Sequence, residues 1–144
     1  MIELIQKSWG WLGIEPATII DQNKFGNVIF RDKRGKYWRI CPEELSCVEI
    51  AHSEKEYNML LQNKDFTSDW NMRRLVDEAE RKFGGPQPDE RCFCLKIPGV
   101  LGGAYNLSNI GTIAISEIIK FSGDIAQQIK DLPNGSKIKF QFVD

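Results

Sequence analysis

The chain is expected to fold as an α+β domain, with a mostly antiparallel sheet flanked by helices. Three observations carry that expectation. GNVIFRD (Gly26 to Asp32) and KYWRIC (Lys36 to Cys41) are β-rich runs separated only by Lys33, Arg34 and Gly35, a spacing that makes an antiparallel hairpin. Two helical patterns then follow one another instead of alternating with strands, which argues against a βαβ sheet. The last run, KIKFQFV, alternates Ile138, Phe140 and Phe142 with Lys139 and Gln141, the period of a half-buried strand.

The elements are read in chain order. The first sixteen residues form a short helix, with Ile2, Ile5, Trp9 and Leu12 on one face, ended by Gly13 and Pro16. In the hairpin, Val28, Phe30, Tyr37 and Arg39 cannot all point inward, so one sheet face is packed and the other partly wet. Pro42, Glu43 and Glu44 make a corner into a third strand, SCVEIA (Ser46 to Ala51). Ser53 caps a helix, with Glu56 completing a capping box and Tyr57, Leu60 and Leu61 as its apolar stripe. One further helix spans DWNMRRLVDEAERKFGG and stops at Gly84, Gly85 and Pro86. GGPQPDE is a polar loop inside one domain covering 1–144, and FCLKI is a central strand running into a glycine-rich loop. Ser116 or Ser122 caps a final helix through Lys130, and LPNGSK turns into the last strand. Trp9, Trp11, Trp38 and Trp70 are mostly core, although Tyr37 and Trp38 must face opposite ways.

The bulk numbers exclude several classes. The 144 residues suit one domain, and 42% hydrophobic with 27% charged residues is ordinary globular composition. Nineteen basic against twenty acidic side chains give a net charge of −1, without the basic excess of a nucleic-acid binder. No apolar run approaches the ~20 residues that span a bilayer. MIELIQKSWGWLGIEP lacks a basic leader and a continuous apolar segment, so a cytoplasmic protein is expected.

No motif points to catalysis or a cofactor. Cys41, Cys47, Cys92 and Cys94 are spaced C-x5-C and C-x-C, unlike the knuckles of a zinc site. His52 has no nucleophile or metal partner identifiable by spacing and reads as a surface residue. Asp77, Glu78 and Glu80 fall on the outer face of a helix, where charges are simply solvated. From Gly99 the order G-V-L-G-G-A-Y matches neither phosphate-binding motif, and helix comes only after another β-like stretch. Gly102 and Gly103 are read as turn or close-approach positions, with Asn106 and Asn109 making side-chain turns.

Three stretches together, FGNVIFRDKRGKYWRICPEEL, CFCLKIPGVLGGAYNLSNIGTI and FSGDIAQQIKDLPNGSKI, resemble a bacterial family of type VI secretion immunity proteins. The resemblance runs from Phe25 to Ile138 and rests on the F-G-x-V-x-F hairpin, the K-I-P-x-V-L-G-G loop and the Q-I-K-D-L-P-x-G turn. Longer members carry a GAD-like domain for which this chain has no room. The resemblance implies a SUKH-like α/β fold and a non-enzymatic inhibitor. Such a protein would form a 1:1 complex with a cognate secreted toxin and occlude its active site. An NAD(P)-degrading hydrolase is favoured as the toxin, ahead of a DNase, because this chain has the single-domain form. A toxin acting on anionic substrates has a basic cleft, which Glu43 and Glu44, with Asp21 as an outlying candidate, are expected to face. Tyr105 and Asn106, at the tip of the glycine loop, are expected to grip it. The alternatives are a small-ligand or nucleotide sensor using that loop as its pocket, and an enzyme using His52 or the carboxylates.

Overall fold

Helix α1 (Ile2–Trp9) forms where the periodic apolar residues place it, and a single 3-10 turn carries the chain to Gly13. Residues 1–133 are described in this computed structural model; the final strand expected at 137–143 lies outside them. Strands β1 (Pro16–Gln22), β2 (Val28–Asp32), β3 (Tyr37–Cys41) and β4 (Ser46–Ala51) form a four-stranded antiparallel sheet in that order. The β2–β3 turn has Gly35 at φ +83°, as its spacing requires. The β1 strand was not foreseen. Register shifts between Pro16 and Thr18 and between Ile19 and Asp21 break its alternation, so no period of two is written in PATIIDQ.

Both sheet faces are covered near the centre, and the face expected to be partly wet is open only towards its edges, at residues such as Asp21 and Val48. Val28, Ile29 and Phe30 are consecutive and all essentially inaccessible. Val28, Phe30 and Ile40 face α1 and the long helix α5 (Ile115–Ile129). Ile29, Tyr37 and Ala51 face Tyr57 and Trp70, with the Tyr37 and Tyr57 rings stacked 4.6 Å apart. Trp38 turns the other way, as expected, and its Nε1 donates to Asp32 Oδ2 at 2.9 Å. Helix α5 passes so close to α1 that a Cβ on Gly123 would overlap the carbonyl of Ser8. That contact explains a glycine within a helix.

Helix α2 (Glu54–Leu60) starts as its sequence dictates: Ser53 Oγ accepts from the Glu56 amide at 3.2 Å. The Glu56 carboxylate reaches back one residue further than in a capping box, to the His52 amide at 2.7 Å. The next helix is broken. In place of one helix there are α3 (Lys64–Asn71) and α4 (Arg73–Phe83), separated by Met72 at φ +46°. Neither glycine nor proline marks this break. Asn23, 47 residues away, donates from Nδ2 to the Trp70 carbonyl that ends α3.

Strand β5 (Arg91–Leu95) is not central. Among the described residues it pairs with β6 (Ile110–Ala114) alone, as a separate two-stranded sheet. Helix α4 packs Leu75, Val76 and Ala79 onto Phe93, Leu95 and Ile110 of this ribbon. Neither expected serine caps α5: its N-cap is Ala114, Ser116 is exposed, and Ser122 Oγ donates to Ile119 O inside the helix.

Candidate functional site

Two 3-10 turns far apart in sequence pack against each other: Pro42–Glu44, after β3, and Gly99–Leu101, after β5. Proline at its start sets the first turn's φ, and Leu45 closes it in the left-handed region at φ +49°. The turn sends its two carboxylates opposite ways. Glu43 is 3% exposed, whereas Glu44 reaches solvent.

Glu43 lies inside a polar network. The Nδ2 of Asn27 donates to both of its oxygens at 2.9 Å, and Cys41 Sγ donates to Oε2 at 2.9 Å. Arg39 Nε donates to Asn27 Oδ1 at 3.0 Å, and its Nη1 reaches Asp69 Oδ2 at 2.6 Å. The guanidinium also lies over the Trp70 ring, 5.1 Å from its centroid, a favourable cation–π placement. Burial pushes the Glu43 carboxyl above its ordinary value, opposed by the hydrogen bonds from Cys41 and Asn27. Burial, with the Glu43 charge beside it, also pushes up the Cys41 thiol. Glu43 therefore supports the corner from within.

The hydroxyl of Tyr105 donates to Glu44 Oε1, across 61 residues. Burial, then this hydrogen bond to a carboxylate, raises the phenol so that it stays protonated. Gly99 makes room for the pair: a Cβ there would stand 2.7 Å from Tyr105 Cε2 and 2.8 Å from Glu44 Oε1. Beside the pair opens a cleft of about 370 Å³, lined by Arg39, Glu43, Glu44, Val48, Asp69 and Met72 among others. Met72, which lines it, and Leu45, which lies in the chain between the lining residues Glu44 and Ser46, are the described non-glycine residues at positive φ. Strained backbone of this kind gathers at functional sites.

Of the expected contact residues, the structure brings together Glu43, Glu44 and Tyr105. Asp21 is exposed on β1, where its Oδ1 accepts from the Gln22 amide. Asn106 is exposed beyond the cleft, its Oδ1 accepting from Ser108 Oγ at 2.5 Å. Neither lines the cleft. Arg39, Val48, Asp69 and Met72 were missed, because only pairing β3 with β4 and breaking the helix at Met72 bring them to one wall. His52 is exposed, its Nδ1 2.9 Å from Glu49 Oε2. The glycine loop is filled by its own Asn109, which donates to Ile97 O and Ala104 O and accepts from the Ile97 amide.

Comparison with protein families matches residues 51–126, more than half of the chain, to the family described as T6SS immunity protein Tdi1, C-terminal. The chain belongs to this family. It is a type VI secretion immunity protein, and its work is to bind a toxin. The match is narrower than the resemblance read from the sequence. It starts at the last residue of β4 and takes in Asp69, Tyr105 and Asn106, but not Asp21 or the Pro42–Glu44 corner. Comparison with curated proteins finds no match. Among the described residues, no helix is long and apolar enough to cross a membrane.

Proposed function

We propose that this immunity protein is a non-enzymatic inhibitor acting in the cytoplasm. One copy binds one secreted toxin and blocks its active site with the acidic wall beside Tyr105. The family supplies the role, and the observation that carries the placement is the joining of Glu44 and Tyr105 at the cleft mouth. The arrangement suits a basic active site. Arg39 and Asp69 form one ion pair whose negative end faces outward, the side chains being 12% and 70% exposed, and Glu44 adds a second exposed carboxylate. The outward charge is therefore negative. Enzymes acting on NAD(P) or DNA gather anionic substrates with positive charge, and complementary potentials speed association and exclude wrong partners. An NAD(P)-degrading hydrolase is placed first as the target and a DNase second, on the sequence resemblance. Asp21 and Asn106 enter as peripheral contacts, and Glu43 as the group that holds Glu44 in position.

The test pairs this protein with the toxin encoded beside its gene. NAD(P) hydrolysis and DNA cleavage by the toxin are followed as the inhibitor is added, with the wild-type chain and with Glu44→Lys combined with Asp69→Lys. One activity should fall to zero at a 1:1 ratio with the wild-type chain. The double reversal should restore it, with binding weakened by roughly 100-fold or more, the range for close interfacial charges. Full inhibition by the double reversal would show that the cleft is not the toxin-binding surface.

A further inference from the structure

The loop from Ile97 to Asn109 turns its backbone inward and several aliphatic side chains outward. Asn109, 9% exposed, clamps both ends with three hydrogen bonds of 2.9–3.0 Å. Gly103 lies against the Ile97 carbonyl so closely that a Cβ would overlap it. From α4, Arg74 Nη2 donates to Tyr105 O at 3.5 Å and Lys82 Nζ to Leu107 O at 3.3 Å. Leu101 anchors the first turn in the main core. On this fastened backbone Ile97, Val100, Tyr105 and Leu107 remain 51%, 53%, 37% and 38% exposed. The Gly99–Leu101 turn packs on Pro42–Glu44, with Gly99 against the Glu44–Tyr105 pair and Val100 next to it in the chain. Val48, 52% exposed, lines the cleft itself.

We infer that this loop is the apolar anchor of the toxin interface. The toxin surface that fits it carries an aliphatic or aromatic depression next to a lysine or arginine. The inference rests on the reading that the acidic cleft meets the toxin. Continuity with the cleft commits it to that partner: the patch meets the acidic wall at Tyr105 and Glu44, with Arg74 and Lys82 on its α4 side, so the surface that fits it is apolar with a basic group facing Glu44. Side chains held on a constrained backbone lose little freedom when covered, so their burial contributes to binding with a small entropic cost. The two halves of the surface then divide the work. Exposed carboxylates govern the association rate and its salt dependence, and the buried apolar contacts govern dissociation.

The experiment measures association and dissociation rates with the purified, catalytically inactive toxin encoded beside the gene, at low and high salt. The variants are Val100→Asp, Leu107→Asp and Glu44→Gln with Asp69→Asn, with circular dichroism as a check on folding. Val100 and Leu107 are exposed, so their replacement should leave the free chain folded. Val100→Asp should speed dissociation by roughly 30-fold or more, the effect of an interface hot spot. The carboxylate variant should instead slow association and flatten its salt dependence. If Val100→Asp and Leu107→Asp dissociate like wild type while the carboxylate variant binds poorly, the loop is no anchor and the acidic docking stands. If all the variants bind like wild type, both readings fail.

Discussion

Asn27→Ala should destabilise the domain by about 3–5 kcal/mol at neutral pH. Asn27 is fully buried, and its amide serves two charged partners: both Glu43 oxygens and the Nε of Arg39. A hydrogen bond to a charged group contributes roughly 1.5–3 kcal/mol. Losing the amide leaves the Glu43 carboxylate with the Cys41 thiol, its own backbone amide and the Arg39 charge nearby, and Arg39 with Asp69 and the Trp70 face. The total matches the ~3–5 kcal/mol for removing one partner of a buried charge, a large share of the 5–15 kcal/mol typical of whole domains. The loss should depend on pH with a definite sign. The folded Glu43 carboxyl lies above its ordinary 4.5, raised by burial and held back partly by Asn27. A raised carboxyl contributes stability that is fully present below that ordinary value and lost as pH rises through the folded one. Removing Asn27 raises the folded value further. The deficit relative to wild type should therefore be smallest near the ordinary carboxyl value and grow towards neutrality. Urea titrations of wild type and variant across that range, repeated on a Glu43→Gln background, make the assay. A deficit below about 1 kcal/mol at neutral pH, or one of equal size at every pH and in both backgrounds, would refute the reasoning.

Three further outcomes are expected. Gly103→Ala should cost about 1–3 kcal/mol in chemical denaturation, because its Cβ would overlap the Ile97 carbonyl and force the clamped loop to shift; a neutral result would mean the loop adapts freely. Cys47 and Cys92, each pushed up to about 12 by burial, should resist a thiol reagent in mildly alkaline buffer and react once urea unfolds the chain. Labelling of both at the rate of a free thiol would contradict their burial. Ser53→Ala should remove about 1 kcal/mol through loss of the cap on α2, measured by the urea midpoint, and an unchanged midpoint would mean that the Glu56 contact suffices.

The local signals were legible from the residues alone. The β2–β3 hairpin, the strand Ser46–Ala51, the Ser53 cap and the α+β class all appear as expected, because turn chemistry, alternation and capping act over a few neighbours. The clamp at Asn109 and the close approach at Gly103 were partly readable, as an asparagine and a glycine in a loop. The bulged β1 strand was not, since its irregular register on β2 leaves no period of two to read, nor was the break at Met72, where the chain meets Asn23 from 47 residues before Trp70. The candidate site divides the same way. Sequence alone showed two adjacent glutamates at a proline corner and a tyrosine in a glycine loop. Only the tertiary structure turned Glu43 inward onto Asn27, left Glu44 outward, and carried Tyr105 across 61 residues to meet it. A 3-10 turn points successive side chains in different directions, and which one is buried depends on what packs beneath; that is decided by long-range contacts absent from any local stretch.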